Sequence, residues 1–207
     1  MVSLGLLSAF VPTFLLVSLT PGMCMTLAMV LGMTQGVRRT LWMMIGELAG
    51  VGLVAAAAGA GVATLMLRQP EIFAVFKWLG GAYLIYLGVM MWRSRGRMAV
   101  PEELDAQATA GRRELAVQGF VTAVANPKGW AFFVALLPPF LDADRPLAGQ
   151  LALLILLILT IEFLALVTYA TGGQTLRHLL GKSRNVRLLN RIAGTLMVGV
   201  GIWLALG

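Results

Sequence analysis

The chain has 207 residues, of which 59% are hydrophobic and 12% are charged, and its formal net charge is +7. Soluble domains carry about 25% charged residues, so the composition excludes an ordinary soluble domain. The basic residues are distributed over short segments between apolar runs, which argues against the continuous basic patch of a nucleic-acid-binding protein.

Apolar residues form six runs, most of them close to the roughly 17–25 residues that an α-helix needs to cross a bilayer. In chain order the runs are 4–31, 41–67, 76–92, 115–140, 147–171 and 192–206, and the last is short. They occupy most of the chain. We therefore predict an all-α membrane protein with six transmembrane helices.

Two of these runs, the first and the fourth, are interrupted by proline. The interruptions are Thr20-Pro21-Gly22 and Asn126-Pro127-Lys128. Proline removes a backbone donor and clashes with the preceding turn. Lipid offers no replacement hydrogen bond, so such breaks survive only where they lie against protein or a water-filled cavity. We predict that transmembrane helices 1 and 4 are broken; the alternative is a kink that merely bends each helix.

The two breaks predict a substrate-binding site made of Thr20, Pro21, Gly22, Asn126, Pro127 and Lys128. The half-helices that begin there direct their positive N-terminal ends at the gap, which suits an amino-acid carboxylate. Thr20 and Asn126 are expected to cap the new helix starts. For Lys128 the sequence leaves two roles open: binding a carboxylate, or extending toward the cytoplasmic mouth.

Two acidic residues, Glu47 and Glu162, lie inside the second and fifth runs. A charged carboxylate exposed to lipid at that depth costs roughly 2.5 kcal/mol or more, so such residues usually line a cavity and often relay protons. We predict that both are proton-coupling residues. Glu47 is five residues after Trp42, near the end of its run, so the sequence also allows it a structural role at the membrane interface.

The polar segment 93–114 predicts a cytoplasmic linker between two halves. A first three-helix repeat covers 1–92 and a second covers 115–207. Because three is odd, the halves enter the membrane from opposite sides, which predicts two inverted repeats. Pro21 and Pro127 hold similar positions in the two halves, as do Glu47 and Glu162, and this weak internal echo favours duplication.

Most basic residues lie on one side of the predicted membrane. Twelve of the sixteen follow the first, third or fifth run, whereas Arg68, Lys77 and Arg145 fall on the other side. The positive-inside rule assigns the basic side to the cytoplasm. We therefore predict a multi-pass protein of the cell (cytoplasmic) membrane with both termini outside.

Several of these stretches together carry a family resemblance. They are Ser18-Leu19-Thr20-Pro21-Gly22, residues 77–88, Asn126-Pro127-Lys128 with Phe132-Phe133 and Pro138-Pro139-Phe140 after it, and Tyr169-Ala170. With them the chain resembles the LysE-type (LysE/RhtB) amino-acid exporters over essentially its whole length. The resemblance implies export of amino acids or small derivatives, driven by the proton gradient. The chain departs from the family pattern at Met23, where a second proline is frequent, and at Glu162, where aspartate is common.

We predict a secondary active transporter and not an enzyme, since the sequence contains no nucleophile triad, phosphate loop or metal cluster. Its expected partners are a small zwitterionic amino acid, protons and the lipid bilayer, with no cofactor. The alternative is a metal-ion exporter of similar architecture, for which two acids and no membrane histidine are a poor ligand set. A thiol-disulfide electron carrier needs a cysteine pair, and Cys24 is the single cysteine. Monomer and homodimer both remain open.

Overall fold

A computed structural model describes residues 4–68, 70–93, 110–142, 144–181 and 183–206 of the protein. Within these ranges all regular structure is helical, with eight α-helices and a 3₁₀ turn at Pro138–Phe140. The helices are α1 (Leu4–Leu19), α2 (Met23–Gln35), α3 (Val37–Arg68), α4 (Pro70–Arg93), α5 (Arg112–Val124), α6 (Pro127–Leu136), α7 (Leu147–Gly181) and α8 (Ser183–Leu206). The prediction of an all-α protein is confirmed.

The helices follow the order of the predicted runs. Among the described residues, two helices are long and apolar enough to cross a membrane, over Val37–Thr64 and Leu147–Gly173. The bent pair Leu7–Leu19 and Met23–Gln35 gives a third when it is counted as one span. The other predicted runs correspond in position to α4, to α5 with α6, and to α8. The protein is thus an all-helical membrane protein.

The ends of two predicted segments differ from the structure. α8 begins at Ser183, nine residues before the run 192–206. Its first turns are polar, but Val186 and Asn190 lie one turn apart and are buried, so this part of the helix packs against protein. The predicted linker 93–114 lies mostly outside the described residues; α4 ends at Arg93 and α5 begins at Arg112.

The first predicted break separates two helices that meet at a sharp angle. α1 ends at Leu19, α2 begins at Met23, and the two are bent by 57°. The N-cap of α2 is Gly22, which has an extended backbone and no side-chain cap. The expectation that Thr20 caps this helix is wrong, because its hydroxyl donates instead to the carbonyl of Leu16, 2.9 Å away in α1. Serine and threonine commonly make this backward bond within a helix.

The second predicted break is shorter. Only Ala125 and Asn126 separate α5 from α6. The carbonyl of Asn126 accepts the amides of Gly129 and Trp130 at 3.0 and 3.4 Å, so Asn126 occupies the position that precedes the helix. Pro127 is the first residue of α6, where its missing N–H costs no hydrogen bond.

Glycine lets α3 and α5 pack backbone to backbone. A Cβ at Gly46 would collide with the carbonyl of Ala116, and one at Gly119 would collide with the carbonyl of Met43. Gly50, one turn after Gly46, packs against Ala123 in the same way, so the two helices run parallel. Small residues thus allow these two helices to pack closely.

Two clusters of buried apolar side chains lie on either side of the breaks. One is aromatic and includes Phe10, Phe14, Phe132, Phe133 and Phe140. The other is rich in methionine and includes Met25, Met29, Met43 and Met44. Between the two clusters the side chains do not meet completely, and a cavity remains.

Candidate functional site

The cavity has a volume of about 80 Å³ and is lined by residues of α1, α2, α3, α5, α6 and α7 and of both breaks. A single water molecule needs only roughly 10–15 Å³ of such space, so the cavity has room for several water-sized groups. Its lining consists of Phe14, Val17, Ser18, Thr20, Gly22, Met23, Cys24, Met25, Glu47, Val51, Val54, Ala123, Asn126, Gly129, Phe132, Phe133 and Glu162.

Residues from both breaks line this one cavity. Of the six predicted binding residues, Thr20 and Gly22 of the first break and Asn126 of the second are part of the lining. Pro21 interrupts the first span without being among the lining residues. The side chains of Pro127 and Lys128 lie outside the described residues, so the two roles considered for Lys128 both remain predictions.

Glu162 reaches the cavity from the middle of α7. The Ser18 hydroxyl, in the last turn of α1, donates a hydrogen bond of 2.6 Å to its Oε2 atom. This short bond joins α7 to α1 next to the first break. In the sequence Ser18 is only part of a family motif, and nothing there identifies it as the partner of Glu162.

Glu47 reaches the same cavity from α3, and its side chain is completely buried. Its carboxyl group lies next to the carboxyl group of Glu162 and the thiol of Cys24. Among the described residues, neither of its oxygens has a hydrogen-bond partner of good geometry. A role at the membrane interface is therefore wrong for Glu47, and the buried Cys24 lines the same cavity.

α5 packs closely against α3 at the position of Glu47. A Cβ at Gly119 would lie 2.9 Å from the backbone nitrogen of Glu47, so α5 approaches α3 at the level of the acid. Any larger residue at Gly119 must push the helices apart. Gly129 of α6 is different, because a Cβ there would meet no atom within 4 Å.

Tyr169 of α7, distant in the sequence, forms a hydrogen bond at the first break. Its hydroxyl donates a 2.8 Å hydrogen bond to the carbonyl of Leu19, the last residue of α1. Because α2 does not continue α1, that carbonyl has no partner further along its own helix. Tyr169 lies seven residues after Glu162, which places both side chains on one face of α7. That spacing is a signal in the sequence that could have linked Tyr169 to the site.

Aromatic side chains form an apolar wall along one part of the cavity. Phe14 of α1 lies 5.8 Å from the ring of Phe132 and 6.2 Å from the ring of Phe133, and the latter two are 6.0 Å apart. Val51 and Val54 of α3 complete this wall. All five side chains are buried. No local pattern in the sequence predicts this wall, because its residues come from three separate segments.

The arrangement therefore joins two carboxyl groups, the start of a helix and an apolar wall in one small cavity. Carboxyl groups so placed can bind a cation or share a proton. Within the described ranges, no group of three or more His, Cys, Asp or Glu side chains is arranged to hold a metal ion.

A helical membrane protein with broken helices around a cavity that contains two acids has the construction of a membrane transporter. Comparison of sequences agrees: the chain belongs to the family described as LysE type translocator, whose sequence model matches residues 15–207. Members of this family are transporters and not enzymes.

Relatives cover nearly the whole chain. A homoserine/homoserine lactone efflux protein of Salmonella typhimurium is 30% identical, over 95% of this chain and 94% of its own length. A leucine efflux protein of Enterobacter sp. is 28% identical, over 90% and 89%. A membrane protein of Vibrio cholerae is 27% identical, over 95% of both chains. No solved structure matches the chain.

Proposed function

We propose that the protein exports amino acids or small amino-acid derivatives from the cytoplasm in exchange for protons. The observation that carries this proposal is that Glu47 and Glu162 lie side by side in a cavity lined by both breaks. Family membership and the efflux proteins among its relatives support the direction of transport and the substrate class.

The acid pair supplies a means of coupling. Two ionised carboxylates this close repel each other in a water-poor site, so the pair is stabilised by a proton or by a cationic group between them. The ammonium group of an amino acid is such a cation. Proton and substrate then compete for Glu47 and Glu162: the proton leaves to the cytoplasm when substrate binds, and a proton from outside displaces the substrate there. The two bindings oppose each other reciprocally, as antiport requires.

The start of α2 supplies a site for the substrate carboxylate. The first hydrogen bond inside this helix runs from the amide of Thr26 to the carbonyl of Gly22. The amides that precede it belong to the first turn, and Gly22, Met23, Cys24 and Met25 all line the cavity. Such amides and the helix dipole favour an anion. A zwitterion would thus bind with its carboxylate at α2 and its ammonium group at the acids.

We also propose the inverted repeat as the frame for alternating access. Under this symmetry, the packing of α3 on α5 in one half would correspond to the packing of α7 on the first broken helix. The packing of α4 against α8 would correspond to itself. Both kinds of contact occur. Glu47 and Glu162 would be equivalent positions, and their proximity supports the same symmetry.

Contacts at the basic ends support cytoplasmic placement of those ends, with the termini outside. Arg39, after the first broken helix, donates to the carbonyl of Ala110, just before α5. Arg191 of α8 lies over the ring of Trp92 at the end of α4. Basic segments that are distant in sequence are therefore neighbours, as the positive-inside rule predicts for one membrane face.

The test is a transport assay in proteoliposomes. Vesicles are loaded with a panel of amino acids, a pH gradient is imposed in either direction, and efflux is compared for wild type, Glu162→Gln and Glu47→Gln. Glu71→Gln is the matched control, since Glu71 is exposed in the first turn of α4. We expect wild type and the control to couple efflux to the gradient, and both cavity variants to lose that coupling.

Two results would contradict the proposal. Failure of every amino acid to move under any gradient would exclude amino-acid export. Gradient-driven efflux that is unchanged in both Glu162→Gln and Glu47→Gln would assign the proton to other groups.

A further inference from the structure

We propose that the aromatic wall is a side-chain subsite that selects substrates with short, uncharged aliphatic side chains. The wall consists of Phe14, Val51, Val54, Phe132 and Phe133, as defined above. This inference rests on the proposed function, because it assumes that an amino acid occupies the cavity.

The course of the helices separates a polar level from an apolar level. On α3, Val51 and Val54 lie one and two turns beyond Glu47, which places them on the same helix face. On α1, Phe14 lies one turn before Ser18, the partner of Glu162. Both helices thus carry a polar residue at the level of the first break and apolar residues further from it. A zwitterion held at the polar level directs its side chain at the wall.

The chemistry of the wall excludes charged side chains. Among the described lining residues the charged groups are Glu47 and Glu162, and both belong to the polar level. A lysine- or glutamate-type side chain against the wall would lose its water without gaining a hydrogen-bond partner. A neutral aliphatic side chain loses nothing of this kind and gains apolar contact.

The size of the cavity limits the side chain further. Space for only a few water-sized groups suits an amino acid with a short side chain. The three phenylalanine rings contact one another, and each is at most 4% exposed, so little free space remains between them. An aromatic substrate would need one of these rings to move. The wall therefore discriminates by volume as well as by charge.

The experiment measures ratios of transport rates between substrates in the same proteoliposomes. Glycine, alanine, homoserine, leucine, phenylalanine, lysine and glutamate are compared, so that differences in protein amount cancel. We expect wild type to transport the neutral aliphatic members at least tenfold faster than the charged ones. Phe133→Ala enlarges the subsite and should raise the phenylalanine-to-leucine ratio. Val54→Leu adds one methylene, which should lower the leucine-to-alanine ratio, since one methylene discriminates by roughly 10- to 200-fold.

Phe163→Ala is the matched control. Phe163 follows Glu162 directly, but its side chain is exposed on the outer surface of the helix bundle and is not among the cavity residues. Its removal should leave every ratio unchanged.

Transport of lysine or glutamate by wild type as fast as leucine would contradict the proposed subsite. It would not contradict the proposal of amino-acid export. Ratios that do not change in either Phe133→Ala or Val54→Leu would do the same. Failure of all amino acids to move would overturn the proposed function and this inference with it. Val54→Leu is the more conservative change. If Phe133→Ala does not fold, the leucine-to-alanine ratio of Val54→Leu tests the subsite.

Discussion

At each of the two breaks a backbone carbonyl accepts a hydrogen bond from an aromatic side chain, but the separation of donor and acceptor in the sequence is very different. At the first, the carbonyl of Leu19 accepts the hydroxyl of Tyr169, which lies 150 residues away in the sequence. At the second, the carbonyl of Val124 accepts the indole N–H of Trp130 at 2.9 Å, only six residues away. Each interrupted helix thus receives an aromatic donor, but one donor comes from α7 and the other from the next turn of the same broken helix.

This difference indicates a division of roles. The second break is bonded within its own segment and is only two residues long, with Pro127 in the first position of the helix that follows. The first break is bent by 57° and bonded to α7 at two adjacent residues, Ser18 and Leu19. Any change in the position of α7 must therefore alter the first break. We infer that α7 and the first break move together, against a second break that stays rigid.

The largest expected effect concerns the packing of α5, the helix that precedes the second break. Gly119→Ala places a methyl group against the backbone of α3, where neither helix can yield cheaply. Overpacking of this kind costs about 3 kcal/mol, the upper part of its usual range. We expect the free energy of unfolding in detergent micelles to fall by that amount.

Gly129→Ala is the control for that substitution. It belongs to the same broken helix, but its added methyl group meets no atom within 4 Å. Its stability should stay within about 0.5 kcal/mol of wild type. Equal losses of stability in the two variants would mean that α5 is not held on α3 by close packing.

The next effect tests the long-range bond. Tyr169→Phe keeps the ring but leaves the carbonyl of Leu19 without its donor in a buried site. An unsatisfied buried acceptor costs about 1–3 kcal/mol. We expect a loss of about 2 kcal/mol in unfolding free energy, together with slower transport because the first break loses its attachment to α7.

Tyr83→Phe removes a hydroxyl from an exposed tyrosine of α4 and serves as the control. It should change neither stability nor transport rate measurably. A Tyr169→Phe protein that transports at the wild-type rate would refute the coupling of α7 to the first break, even if its stability falls.

The positions of the breaks and the placement of the two acids in a cavity could be predicted from the sequence, because each signal is local. Proline in an apolar run must interrupt a helix, and a glutamate in such a run needs a polar place. Partners across the fold left no comparable signal. Nothing near Ser18 or Leu19 in the sequence identifies Glu162 or Tyr169, and the aromatic wall requires three helices to come together. The cap at Thr20 failed because its hydroxyl had a nearer acceptor in the preceding turn.

A smaller effect is expected at the local bond of the second break. Trp130→Phe removes the indole N–H from the carbonyl of Val124, but the residue is 38% exposed and the backbone of the break is otherwise bonded. A typical hydrogen bond contributes about 1 kcal/mol net. We expect a loss of about that size in unfolding free energy and little change in transport. A transport defect larger than that of Tyr169→Phe would reverse the roles assigned to the two breaks.

The smallest effect on stability is expected from Ser18→Ala, which removes the donor to Glu162. Glu162 is only partly buried and lines the cavity, so water can replace the hydroxyl at little cost. The unfolding free energy should therefore change by about 0.5 kcal/mol or less, whereas the transport rate should fall by up to about tenfold, equivalent to 1.4 kcal/mol, because Glu162 loses the bond that ties it to the first break. Ser8→Ala, an exposed position on the same helix, is the control for both measurements. If Ser18→Ala loses stability and transport in equal measure, the bond holds the fold together and has no separate part in coupling α7 to the first break.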